Sequence, residues 1–299
     1  MKIAVLFHND ADGFGSAFAA WVSLREKHEL IFEPAQYGEL PPYQKLHEFR
    51  PDQIYILDFS YKAPVLREFM RFLPNTVVID HHKTSVEELA DFPEIEVSGF
   101  HEVDGVQTPL FSGVRVFQEN SGCVLSWLFF NPNDEIPELL HYVQDRDLWK
   151  FELEHSKEIN AYIATLPLDF EVWADFYMPL AYDAGKAVLA FQGEQIRKRV
   201  EGAEMVSLTM QNPYDFDLDT TFIIPCTNAT ENQSELGEAL CLAYPDAPFS
   251  MTYCDRPGGK RSYSLRSRNG FDVSEVAKAF GGGGHAAAAG FTLDAPKII

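Results

Sequence analysis

Short apolar runs rich in β-branched residues alternate with helical periodicity along the first third of the chain, and each run stops at a carboxylate or an imidazole. The pattern predicts a strand over 2–7 that ends at His8-Asn9-Asp10-Ala11-Asp12-Gly13, then a helix from Phe14 to Lys27. Strands follow at 31–35 and 53–57, the second ending at Asp58-Phe59-Ser60, with a helix over 62–72. The run Val77-Val78-Ile79 closes on Asp80-His81-His82. From 90 to 116, Gly99, Gly105, Pro109 and Gly113 give an irregular texture with one strand at 110–116, and His101 reads as an exposed loop residue. Helices are expected from Ser121-Gly122 into 124–130, at 136–144, 155–166 and 170–178, and at 181–201. Past Gly202 the texture turns to strands at 205–210, 220–225, 250–253 and 262–266, with helices at 233–243 and 273–280.

Strand–helix units in succession predict an α/β fold with a doubly wound, mostly parallel sheet, whose ligands bind beyond the carboxyl ends of the strands. The expected domains are a metal-binding domain over 1–180, a connecting helix over 181–203 and a smaller α/β domain over 204–299. A length of 299 residues is enough for two cores.

Charge narrows the partners. The net charge of −21 repels long nucleic acid, whose affinity comes from neutralised phosphates, so long duplex DNA is not an expected partner. A small anion is compatible with a metal centre and a local basic window. Such a window exists: Arg256, Lys260, Arg261, Arg266 and Arg268 fall in a stretch without a single acid. No run of about 18 apolar residues is present, so no membrane span is expected. The first apolar run is too short for a signal peptide. The cysteines Cys123, Cys226, Cys241 and Cys254 form no CxxC pair, which predicts reduced thiols in a cytoplasmic protein and argues against a zinc knuckle.

The strand ends carry the candidate chemistry. Two imidazoles beside carboxylates suit Zn, Mn or Fe, and oxygen-rich neighbours favour Mn or Mg. His8, Asp10 and Asp12 in a strand–turn–helix unit put alternate side chains to one side; a helix N-cap is the other reading of Asp12. Asp145-Arg146-Asp147 is either a ligand pair or a salt bridge around Arg146. Gly281-Gly282-Gly283-Gly284-His285 allows close backbone approach, and a helix beginning beyond it would aim free N–H groups at an anion.

Taken together, His8-Asn-Asp10-Ala-Asp12-Gly13, Leu57-Asp58-Phe-Ser60, Asp80-His81-His82, Asp145 and Gly282-Gly283-Gly284-His285 resemble the motifs of the DHH superfamily of phosphoesterases, in the group with a C-terminal DHHA1 domain. The resemblance runs from residue 3 to 293, in the family's order. It implies two Mn²⁺ (or Mg²⁺) ions, with His8 and Asp10 on one, Asp12, His81 and Asp145 on the other, and Asp58 bridging. Asp147 is the near alternative to Asp145. Asp80 would orient an imidazole, and His82 would face the scissile phosphate as a donor or an acid. Water activated between the metals would attack phosphorus in line. The second domain is implied to close over the cleft, with Arg266, His285 and the Gly283 and Gly284 backbone gripping a phosphate; Arg268 and Asn228 are further substrate contacts. The resemblance also allows a homodimer.

Among family substrates, the acidity favours a short oligoribonucleotide or linear dinucleotide, cut to nucleoside 5′-monophosphates. The alternatives are a polyphosphatase or pyrophosphatase, a 3′,5′-bisphosphate nucleotide phosphatase, a cyclic dinucleotide phosphodiesterase, and a non-catalytic nucleotide-binding protein. Polyphosphate calls for a purely basic track, whereas a nucleotide calls for an aromatic on which its base stacks. With 24 Phe and 12 Tyr the sequence nominates no single one.

Overall fold

The computed structural model describes residues 1–36, 38–103, 105–210 and 220–295, which divide into two compact units, Met1–Leu189 and Ala190–Ile299. The first unit is built on strands β1 (Lys2–His8), β2 (Glu29–Ala35), β3 (Gln53–Leu57), β4 (Thr76–Asp80), β5 (Glu96–Val103) and β6 (Val106–Val116). They form one sheet in the order β2-β1-β3-β4-β6-β5, parallel throughout except for the antiparallel β5–β6 pair. The order reverses between β1 and β3, the place where an open α/β sheet leaves a crevice at its carboxyl edge.

Alternation along the strands explains why both faces are covered. Ile3, Val5, Phe7, Tyr55, Leu57, Val77 and Ile79 point to one side, where α1 (Ala11–Leu24), α5 (Gly122–Phe130) and α6 (Glu138–Asp147) supply Phe14, Phe18, Val124 and Leu140. Ala4, Leu6, Ile54, Ile56 and Val78 point to the other, against Leu46 of α2 (Tyr43–Phe49) and Leu66 and Phe69 of α3 (Ala63–Phe72). Each such fully buried aliphatic side chain contributes roughly 1.5–3 kcal/mol. The strand ends therefore stand on a rigid base. Short helices α4 (Lys83–Glu88), α7 (Ser156–Ile163) and α8 (Phe170–Ala174) follow the order of the chain, and α9 (Met178–Glu201) runs through the boundary of the two units.

Several elements differ from the expectation. Strands β5 and β6 form an antiparallel pair where the sequence suggests a single strand after an irregular stretch, and His101 lies on β5, 3.4 Å from Asp52. The apparent breakers have places in it. Gly105 lies between the two strands with φ 78, and Gly113, at φ 128, lies so close to Glu94 that a Cβ would sit 2.3 Å from its carbonyl oxygen. Pro109 pairs with Phe100 in a part of β6 that lacks a β4 partner, an edge-like position where proline is tolerated. Helix α2 also goes unannounced by the periodicity.

The second unit carries β7 (Glu204–Met210), β8 (Thr220–Asn228), β9 (Ser250–Arg256), β10 (Lys260–Arg266), β11 (Gly283–Gly284) and β12 (Ala288–Asp294), in the sheet order β11-β12-β10-β9-β8-β7. Helix α10 (Gln233–Ala243) packs its Gly237 against Arg266 and Ser250, and α11 (Val273–Ala279) joins the core of Ile224, Met251, Leu265 and Phe291. The glycine run opens no helix. It enters a hairpin in which Gly283 pairs with Gly290 and Gly284 with Ala289, and a Cβ on Gly282 would lie 2.0 Å from the Gly290 carbonyl oxygen. Close backbone approach, not a helix start, is what those glycines provide. Among the described residues no helix is long and apolar enough to cross a membrane.

Candidate metal centre and active site

The switch point between β1 and β3 is lined by the side chains that end the strands. His8 closes β1, and its Nδ1 lies 2.8 Å from Asp10 Oδ2 and 3.7 Å from Asp58 Oδ2. Asp10 is the N-cap of α1, its Oδ1 accepting from Gly13 N–H at 2.9 Å. The capping role considered for Asp12 thus falls to Asp10. Gly13 has no room for a side chain, since a Cβ would sit 2.0 Å from the His8 carbonyl oxygen.

Asp12 is buried, and its carboxylate accepts from the Gly122 and Cys123 N–H groups at 2.7 and 3.0 Å. These are the open donors at the start of α5, and a carboxylate satisfies them. Gly122 serves a second end: a Cβ there would lie 2.5 Å from Asp58 Oδ1. Asp58 follows β3 with a left-handed backbone, φ 63, a conformation Asp and Asn tolerate better than most residues. Its N–H donates to the Ile79 carbonyl at 2.8 Å, which ties β3 to β4 at the site.

His81 is fully buried with Nε2 among three carboxylates: Asp58 Oδ1 at 3.0 Å, Asp12 Oδ2 at 3.5 Å and Asp147 Oδ2 at 3.5 Å. Asp80 turns instead to its own turn, its Oδ1 accepting from the His81 and His82 N–H groups at 2.7 and 3.2 Å and lying 2.7 Å from His82 Nδ1. Burial would raise the Asp80 pKa, but the adjacent His82 outweighs it and holds the carboxyl below its usual range. An ionised Asp80 only accepts, so His82 carries its proton on Nδ1.

Asp145 and Asp147 make different contacts. The Asp145 carboxylate is buried and accepts from the Glu152 and Leu153 N–H groups at 3.0 and 3.3 Å. Asp147 is the member of the pair that reaches the cluster. On a helix, residues two apart face nearly opposite ways, so only one can turn to the sheet edge.

The electrostatics are those of a site short of positive charge. Burial and the neighbouring Asp12 carboxylate raise the pKa of Asp58 well above its ordinary value, and the same two causes push Asp147 up to about 7. Burial would lower both His8 and His81, but the carboxylates win: Asp10 and Asp58 at His8, Asp147 and Asp12 at His81. Asp58 Oδ1 and Asp147 Oδ2 are buried without a hydrogen-bond donor among the described residues. Such atoms are costly unless a cation meets them. Ligand atoms of His8, Asp10 and Asp58 lie within 4.8 Å of one another, as do those of Asp12, Asp58 and His81. The mixed carboxylate and imidazole donors can coordinate divalent cations of the Mn²⁺ or Mg²⁺ kind.

In the second unit, Gly283 and Gly284 lie on β11, and the His285 N–H bonds the Ala288 carbonyl in the turn to β12. The Arg266 guanidinium is held by Ser264 Oγ at 3.1 Å, the Leu265 carbonyl at 2.9 Å and Ser234 Oγ. Acids from outside the basic window meet much of it: Asp255 binds Arg261, Asp294 binds Lys260 and Glu238 binds Arg268. Asn228 Nδ2 donates to the Tyr253 carbonyl at 3.2 Å.

The sheet switch point is thus lined with carboxylates and imidazoles that can hold divalent cations. Residues 2–119 match the DHH family N-terminal domain and residues 231–298 the DHHA1 domain. The chain belongs to the DHH superfamily of phosphoesterases, in the group with a C-terminal DHHA1 domain. An uncharacterised protein, R106, of Acanthamoeba polyphaga mimivirus is 30% identical over 98% of this chain and 68% of its own length. Oligoribonuclease NrnB of Bacillus subtilis is 24% identical over 96% of this chain and 71% of its own. A crystal structure of RecJ in complex with Mn²⁺ from Thermus thermophilus shares 12% identity at a TM-score of 0.45, covering 98% of this chain and 49% of that one.

Proposed function

We propose that this protein hydrolyses short oligoribonucleotides or linear dinucleotides to nucleoside 5′-monophosphates. The observation that carries the reading is the pair of ligand groups that share Asp58 at the switch point. Two divalent cations, when bound, acidify a water for in-line attack and neutralise charge on the phosphoryl oxygens. His8 and Asp10 would hold one cation, Asp12, His81 and Asp147 the other, and Asp58 both. Asp80 engages Nδ1 of His82, which leaves Nε2 to face the phosphate; with both ring nitrogens protonated, His82 would donate a hydrogen bond or a proton from Nε2. Arg266, Arg268, Asn228, His285 and the Gly283 and Gly284 backbone are proposed substrate contacts. Likeness to a protein named an oligoribonuclease supports the substrate class, and the net charge of −21 favours short strands over long ones.

The test is Mn²⁺-dependent hydrolysis of a 5′-labelled RNA ladder from dinucleotide to 24-mer, beside polyphosphate and 3′,5′-bisphosphate controls. The reading expects the shortest RNAs to disappear first, with mononucleotide products. Inert RNA with orthophosphate released from a control would move the substrate to the phosphatase branch.

A further inference from the structure

The segment after α6 has no part in the chemistry described so far, yet it is held in an unusual shape. The Trp149 N–H donates to the Arg146 carbonyl at 2.9 Å, and the Lys150 and Phe151 N–H groups donate to the Asp145 carbonyl at 2.9 and 3.3 Å. With the two bonds to the Asp145 carboxylate, a single aspartate ties down the four residues 150–153. Trp149 and Phe151 are both left-handed, at φ 56 and 52, a region bulky residues rarely occupy. Their rings meet edge to face with centroids 5.0 Å apart. Neither belongs to the apolar cores of the first unit, and both are half-buried. The other tryptophans, Trp21, Trp127 and Trp173, are only 9%, 5% and 2% exposed. Packing alone gives no reason to force two aromatics into this backbone at the surface.

Position supplies a reason. Trp149 follows Asp147 by two residues, which separates their Cα atoms by no more than about 7 Å. Asp147 in turn lies 3.5 Å from His81 Nε2. An aromatic side chain two residues along the chain from a group at the phosphate site would meet the part of a nucleotide that a phosphate site cannot, its base. Stacking on an aromatic side chain is tolerant of base identity, as a degradative enzyme requires. The geometry points to Trp149, braced by Phe151, as the platform on which a nucleobase of the substrate stacks. This inference rests on the nucleotide reading above and deepens it, since a polyphosphate has nothing to stack.

Fluorescence and kinetics test it separately. Because the remaining tryptophans are buried, 5′-AMP titrated into the Mg²⁺-loaded protein is expected to quench emission saturably through Trp149, and ribose 5-phosphate is not. Trp149→Phe should abolish the quench. In kinetics, Trp149→Ala should lower the ratio of kcat/KM for a base-bearing dinucleotide over its abasic analogue by roughly 5- to 150-fold, with Trp149→Phe restoring most of it. No quench by AMP, or an equal loss on both dinucleotides, would overturn the platform. If the wild-type protein cleaves no short RNA while AMP still quenches Trp149, the hydrolytic reading fails and the platform stands. If short RNA is cleaved at a rate indifferent to Trp149, the platform fails and the hydrolytic reading stands.

Discussion

Asp58→Asn is expected to abolish hydrolysis while leaving the fold intact. Asn accepts the left-handed backbone that Asp58 adopts at φ 63, so the substitution changes charge and little else. Loss of an outer partner of a metal ligand typically costs 10–100-fold, and Asp58 is the carboxylate common to both ligand groups, so activity should fall by more than about 100-fold. Stability of the metal-stripped protein should move the other way. Asp58 and Asp147 have folded-state pKa values raised above their ordinary ones, so the folded chain binds more protons than the unfolded chain between those limits. Stability without metal therefore declines as pH rises through that window, which reaches about 7 for Asp147. Removing the Asp58 charge relieves part of this repulsion. Thermal melts of the chelator-treated proteins at neutral pH check it: a higher Tm for Asp58→Asn is expected, and wild-type turnover by that variant would sink the shared-ligand model.

The second large effect separates two aspartates that are two residues apart. Asp147→Asn should lose more than about 100-fold in activity with an unchanged fold, because its carboxylate faces the buried His81 imidazole. Asp145→Asn should behave as a structural variant. Its two carboxylate oxygens each accept from one backbone N–H; Asn keeps one of them, and the donor left facing the new NH2 costs about 1–3 kcal/mol. Denaturant melts beside kcat measurements distinguish the two. A stable, inactive Asp145→Asn together with an active Asp147→Asn would restore the assignment that motif resemblance alone suggests.

The pattern of apolar runs made the first sheet legible because its strands are buried on both faces, so Ile3 to Phe7, Ile54 to Leu57 and Val77 to Ile79 read as short continuous hydrophobic runs. Strand ends then located His8, Asp58 and Asp80-His81-His82 without any tertiary information. What stayed hidden depended on contacts distant in sequence. Gly113 reads as a breaker until Glu94 is seen against it, and Gly122 reads as an ordinary helix start until Asp58 is seen in the space of its missing side chain and Asp12 on its N–H. The Gly281–Gly284 run signals close approach correctly but not its partner, the Gly290 backbone. Asp145 and Asp147 are alike by composition; only the loop that folds back at Glu152 and Leu153 tells them apart. The stacking aromatic was illegible for a similar reason, since half-burial and a left-handed backbone leave no mark in the amino-acid pattern.

Because Asp58 is common to both ligand groups, the two proposed cation sites are expected to form one centre. Mn²⁺ titration of the metal-stripped protein, followed by electron paramagnetic resonance, tests it most directly. Two Mn²⁺ per chain are expected, with the broadened signal of an exchange-coupled pair that is lost in Asp58→Asn. A single bound Mn²⁺, or two with the six-line spectrum of isolated ions, would contradict it.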